Sequence, residues 1–325
     1  MSDLYPMLLL PEFKERVWGA RDLAPIYPNY KVEGAPVGEV WLTGDECRVA
    51  NGRLTGQTLG VLAQRYGREL VGEAPEAAER FPLLVKFLFP RQKLSVQVHP
   101  GEEDARKAEG ARGKSECWYV VKAEIDAQVG VGLKPGTARA DFEAAVRGGE
   151  RADQLLNWVP IQAGEVIYNP AGTVHAIGPG SVLVEIQQNS DTTYRLYDYG
   201  RARELQVEPG LRVMRERTGA GKAARGSEKS MLLVSPYFRV DKFLAEGENV
   251  RVHGGARPSS AWVVVGLEGC GVVAAGGVEI TLTAGDALVV PASFAEFTVR
   301  PQWRLEYLSI AVPPPGAPHP PTSMD

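Results

Sequence analysis

Alternation of apolar and polar positions predicts a chain made mostly of short strands. Residues 93–99, KLSVQVH, alternate Leu94, Val96 and Val98 with Ser95, Gln97 and His99. Successive strand side chains point to opposite faces. One face therefore packs, and the other carries a hydroxyl, an amide and an imidazole. A half-buried strand would turn such a face to water; a strand lining a small barrel would turn it to a ligand. Residues 116–123 place Glu116, Trp118 and Val120 on one face and Cys117, Tyr119 and Val121 on the other, with Lys114 sharing the parity of Glu116. Residues 181–188 oppose Val182, Val184 and Ile186 to Leu183, Glu185 and Gln187, and the return strand puts Arg195, Tyr197 and Tyr199 on one face. Helical spacing is confined to residues 57–78, through Leu59, Leu62, Tyr66 and Leu70, to a turn or two between Glu102 and Glu109, and to residues 137–161, broken at Gly148 and Gly149.

The second stretch of note is 164–175, GEVIYNPAGTVH. A strand through Val166, Ile167 and Tyr168 leaves by a Pro170-Ala171-Gly172 turn that delivers His175. Its G-x5-P-x-G-x2-H spacing resembles the second signature of cupin barrels. The first signature, H-x-H followed by Glu, has its counterpart in Gln97-x-His99 and a later Glu116. Lys86 interrupts an apolar run, FPLLVKFLFP. It is expected either to snorkel to the surface or to face a phosphate. Trp18 and Trp41 read as packing residues, with a place beside a sugar pocket as the sharper alternative. Glu185, Asp191 and Arg195 read equally well as an ion-pair network around a turn.

At 325 residues with 36 glycines and 24 prolines, the chain has room for two β-rich units. We expect a mainly β fold of two cupin-type β-barrels (jelly rolls) with a few short helices. The boundaries read as a metal-binding catalytic domain over 1–201, a connecting segment over 202–230, a second, degenerate barrel over 231–312, and a disordered Pro-rich tail over 313–325. The GDALVVPA run of the second unit is spaced like 164–170 but brings no histidine. His253 lies upstream and His319 falls in the tail, so that unit is expected to be structural or lid-like. A net charge of −4 without clusters gives no reason to expect nucleic acid or membrane. Cys47, Cys117 and Cys270 form no metal knuckle or disulfide pattern and suit a cytoplasmic protein.

Together, LSVQVHP, GKSECWY, NPAGTVHAIGPG and VEIQQNSDTTYRLYDYGR resemble the class I mannose-6-phosphate isomerases (phosphomannose isomerases) in their short bacterial form. The resemblance is good from about Trp18 to Arg201 and fits the C-terminal unit only in outline. It implies one zinc per chain, held by Gln97, His99, Glu116 and His175; iron or manganese would also suit such a set. It implies interconversion of mannose 6-phosphate and fructose 6-phosphate through a cis-enediol. Arg195 would be the active-site arginine, and Lys114, Glu185 and Asp191 the competing proton carriers. Ser95 and Lys86 are weaker candidates for the phosphate. The partner is a small sugar phosphate, and the protein is a monomer or homodimer. The interval from Glu124 to Gly164 is too short for the helical insertion of the eukaryotic type. A metal-bearing sugar binder without turnover, a dioxygenase, or an isomerase of another sugar are the rival readings.

Overall fold

The computed structural model describes residues 3–73, 80–107, 112–224, 228–249, 251–253 (backbone alone) and 260–324. Glu109, the expected end of one helical turn, lies outside them. The fold is mainly β, in three antiparallel sheets. One has eight strands, in the order Glu12–Ala20, Val37–Trp41, Leu83–Leu88, Ser181–Gln188, Glu116–Ala123, Val166–Asn169, Gly221–Ala223 and Thr322–Ser323. A five-stranded sheet runs Tyr194–Tyr197, Val96–Val98, His175–Ile177, Gln128–Leu133, Leu156–Pro160. These two share an apolar core in which Trp118, Val120, Ile167 and Leu183 of the first meet Val129, Val131, Val159 and Ile177 of the second. Their hydrogen-bonded order does not close into a ring. The expected barrel is thus a two-sheet sandwich, the flattened form of a jelly roll.

The outer face of the five-stranded sheet carries Val96, Val98, Ala176 and Leu196. It is covered by Phe142 and Val146 of the Arg139–Arg147 helix and Leu211 of the Val207–Val213 helix. The alternation of residues 93–99 therefore holds for Val96 and Val98. Leu94, just before the strand, turns instead into the inner core.

Three other expectations need revision. Residues 156–160, given helical spacing, form a strand on Gln128–Leu133, because the helix stops at Gly148 and the chain reverses through Gly149 at φ +70°. The connecting segment contributes a helix and the Gly221–Ala223 strand to the N-terminal unit. The Pro-rich tail, expected to be disordered, adds Thr322 and Ser323 to that strand, and the His319 ring lies 2.9 Å from the Tyr168 hydroxyl.

The third sheet is built on the long strands Trp262–Ala275 and Phe297–Ala311, with Met7–Leu8 from the chain's start paired to Ala287–Val290. The two units thus exchange strands. The largest core cluster runs through both, including Val85, Tyr168 and Ile186 of one and Phe238, Val263 and Ile310 of the other. Tyr168 and Phe238 meet edge to face at 6.4 Å.

A shared core predicts one cooperative unfolding transition. Phe238 is fully buried. Its replacement by Ala should cost about 3–5 kcal/mol, read as an earlier denaturant midpoint by both tryptophan fluorescence and circular dichroism. Separate transitions for the two halves would contradict the shared core.

Candidate metal centre and cleft

Register sets the site. Across the five-stranded sheet, Arg195, Gln97 and His175 are direct neighbours in one row. Facing them, the larger sheet aligns Trp41 with Lys86, Lys86 with Glu185, Glu185 with Trp118, and Gln187 with Glu116. Both rows point into the sandwich, as the alternation of residues 116–123 and 181–188 predicts. His175 arrives through the expected turn: Gly172 has φ +84°, and a Cβ there would also meet the Arg215 side chain at 2.9 Å.

His99, Glu116 and His175 are buried with ligand atoms within 4.8 Å of one another. His99 Nδ1 lies 3.0 Å from the Thr192 carbonyl and His175 Nδ1 lies 2.9 Å from the Thr173 carbonyl. A carbonyl only accepts, so each Nδ1 carries the proton and each Nε2 presents a lone pair. Those Nε2 atoms stand 3.4 Å and 3.3 Å from Glu116 Oε2 and Oε1. Burial, with the Lys114 ammonium alongside, brings His99 down to about 3, and burial likewise lowers His175. Both rings are neutral at pH 7, the form a metal takes. Burial opposes the charge on Glu116, but Lys114 and the two histidines hold it well below the usual carboxylate range. Asn169, which the sequence reading passed over, donates to Glu116 Oε1 at 2.8 Å.

Gln97 has its Nε2 3.1 Å from His175 Nε2, and its Oε1 accepts from Ser95 Oγ at 3.2 Å. A half-turn of the amide exchanges its two ends and brings Oε1 to the imidazoles. Two neutral imidazoles, a carboxylate and a carboxamide oxygen are a donor set that fits zinc, and also iron or manganese.

Beside the trio, on the far side of Gln97 and Lys114, lies a cleft of about 420 Å³ bordered by Ser95, Gln97, Lys114, Glu185, Asp191 and Arg195. Lys114 Nζ is 3.0 Å from His99 Nε2, 2.9 Å from Glu116 Oε2 and 4.0 Å from Glu185 Oε1. Lys86 does not snorkel. Its side chain is 5% exposed, with Nζ 2.9 Å from Glu185 and 3.9 Å from Glu39. The other Glu185 oxygen accepts from the Trp118 indole at 3.0 Å. Burial pushes the Glu185 carboxyl up, and Glu116 adds to the rise, against the pull of Lys86 and Lys114. Glu39 is buried too, yet Lys86, Arg16 and the Trp41 indole bring it down to about 2.

The structure brings all ten sequence-predicted residues to one region, but not on equal terms. Asp191 is exposed at the rim. Arg195 faces the cleft, while the ladder shifts between Arg195 and Tyr197 and Tyr199 takes φ +56°. The expected common face of Arg195, Tyr197 and Tyr199 is therefore broken. Trp18 is buried against the cleft and Trp41 lies under the Lys14 and Lys86 ammonium groups. Arg16, Glu39, Arg203 and Gln206 also border the cleft and were missed. Arg16 and Glu39 sit in strands whose alternation carries no motif, and Arg203 and Gln206 in a segment read as a connection.

Residues 7–128 match the family described as phosphomannose isomerase type I, catalytic domain. The chain is 34% identical over 310 residues to a mannose-6-phosphate isomerase of Bacillus subtilis, covering 90% of this chain and 95% of that protein. It is 33% identical over 302 residues to one from Streptococcus mutans, covering 88% and 92%. The crystal structure of a mannose 6-phosphate isomerase from Bacillus subtilis superposes with a TM-score of 0.80 at 29% identity, over 93% of this chain and 99% of that one. At 34% identity over nine-tenths of its length, and with a buried two-histidine, one-carboxylate cluster, this chain belongs to the mannose-6-phosphate isomerase family.

Proposed function

We propose that the protein interconverts mannose 6-phosphate and fructose 6-phosphate with one zinc held by His99, Glu116, His175 and the Gln97 oxygen. The observation that carries this reading is the meeting, in one cleft, of that donor set with a buried Lys114–Glu185 pair. A binder of sugars needs no such proton-handling pair beside its metal. When bound, the zinc supplies a Lewis acid that stabilises negative charge on a sugar oxygen.

The chain's own groups supply the rest. Glu185 is held up by burial, towards the pH at which a carboxylate exchanges protons well. It takes the proton from C2 of the open-chain aldose as the electron pair forms the C1–C2 double bond. The Lys114 ammonium donates to the C1 oxygen as that oxygen gains charge, giving the cis-enediol. Return of the proton from Glu185 to C1, with the C2 hydroxyl proton passing back to the Lys114 amine as the C2 carbonyl forms, yields the ketose and restores both groups. One carboxylate serving both carbons keeps the transfer on one face. Trp118 and Lys86 fix the orientation of Glu185 through its two oxygens. The unpaired thiols at Cys47, Cys117 and Cys270 suit a reducing cytoplasm.

Purified protein should convert mannose 6-phosphate to fructose 6-phosphate, lose that activity on chelation and regain it with zinc. Metal at one per chain with no turnover would remove this substrate. Glu185→Gln and Lys114→Met should each lower kcat by roughly 10²–10⁴-fold while zinc content, measured by elemental analysis, stays at one per chain. Asp191→Asn should stay within about threefold of wild type, as its exposed carboxylate stands at the rim; a collapse there would move the base to Asp191. Lys86→Met removes a cation that favours ionised Glu185, so the Glu185 pKa rises further. The acid limb of the kcat/KM pH profile should therefore move to higher pH, and an unmoved limb would remove Glu185 as the base.

A further inference from the structure

We infer that Asn169 is a positioning residue of the metal centre: its amide fixes the Glu116 carboxylate and so sets how tightly zinc is held. The inference rests on the metal part of the reading above and is independent of which sugar the cleft accepts.

Register brings the two side chains together. Asn169 ends the Val166–Asn169 strand and pairs directly with Glu116 on the neighbouring strand. Both are buried, Asn169 at 1% exposure and Glu116 at 0%. The Asn169 amide reaches Glu116 Oε1 at 2.8 Å. A carboxylate only accepts, so the amide end that faces it is Nδ2. Lys114 Nζ stands 2.9 Å from the second oxygen, Oε2. Each carboxylate oxygen thus has one donor besides the imidazoles.

The two donors are not equivalent. Lys114 Nζ also lies 3.0 Å from His99 Nε2, on the lone pair that a metal would take. An ammonium and a divalent cation repel at such a distance, so that donor gives way when the site is filled. Asn169 is neutral and leaves a lone pair of Oε1 free. The two histidines are oriented by the backbone carbonyls of Thr192 and Thr173. For the carboxylate the same task falls to a side chain. Outer partners that fix the orientation of a ligand raise metal affinity. Asn169 also directly precedes Pro170, whose turn delivers His175. One short segment therefore supplies one ligand and fixes another.

Cost is the second argument. Asparagine is a poor strand residue. The other end of its amide, Oδ1, is buried and has no hydrogen-bond partner. An unpaired buried amide oxygen opposes folding, and a leucine of similar size would carry no such penalty. Packing does not account for the asparagine, whereas the bond from Nδ2 to Glu116 does.

The test titrates metal-free wild type and Asn169→Leu with zinc in competition with a chromophoric chelator, and measures urea unfolding of both proteins in excess EDTA. We expect Asn169→Leu to bind zinc roughly 10–100-fold more weakly, with a metal-free urea midpoint at or above that of wild type. Wild-type zinc affinity in Asn169→Leu would overturn the inference. So would weaker affinity together with a lower metal-free midpoint, which would mark Asn169 as structural. If Asn169→Leu does not fold, Asn169→Ala takes its place in the zinc titration, and wild-type affinity in it would overturn the proposal. If wild type itself takes up no zinc, the metal reading fails and the inference fails with it. Zinc bound without turnover of mannose 6-phosphate would remove that substrate alone, and the ratio of the two affinities would still decide the role of Asn169.

Discussion

The catalytic half is organised by a buried line of alternating charge. From Arg16 it passes to Glu39, Lys86, Glu185, Lys114 and Glu116, each within about 4 Å of the next. Three of these groups, Glu39, Lys86 and Glu185, sit on three adjacent strands of the larger sheet. Taking a single charge from water into a sandwich costs several kcal/mol, and removing one partner of a buried pair is strongly unfavourable. The line therefore tolerates only one register between these strands. A one-residue slip would send every charge to the opposite face, into the core shared with the C-terminal unit. Specificity of register, more than net stabilisation, is what such a row supplies, and the metal centre inherits its precision from it.

That constraint explains which parts of the site were legible in the sequence. Glu116 stands on a strand with clean alternation, His175 follows a Pro-Gly turn and His99 directly follows the Val96–Val98 strand, while parity put Lys114 with Glu116. Lys86 was seen as an anomaly but misjudged. One sequence shows an unpaired lysine in an apolar run, while the partners that keep it buried, Glu39 and Glu185, lie 47 residues before and 99 after it. Ion pairs between distant strands have no local signature. Arg203 was invisible for another reason. Its place at the cleft follows a break in the ladder after Arg195 and a positive φ at Tyr199, neither of which periodicity records. Leu94 failed in the same way, since parity says nothing about a residue just outside the strand.

Segments that read as a connection and a tail join a sheet for a thermodynamic reason. Composition marks residues 202–230 and the tail as polar, basic or proline-rich, and such segments do not build a core of their own. They need not, because an existing sheet edge satisfies their backbone. The Val166–Asn169 strand, which leads to the metal-delivering turn, would otherwise present an open edge. Gly221–Ala223 covers it, and Thr322–Ser323 covers that strand in turn. The start of the chain does the reverse by pairing Met7–Leu8 with the C-terminal sheet. The C-terminal unit thus completes the core around Tyr168 and Phe238.

The two ends of the cleft follow opposite electrostatic rules. Near the metal centre the protein's charges cancel. At the other end Arg201 and Arg203 share the buried Asp198 carboxylate, with Arg195 close by. Asp198 is the pivot of that arrangement: it holds two guanidiniums together yet neutralises only one of them.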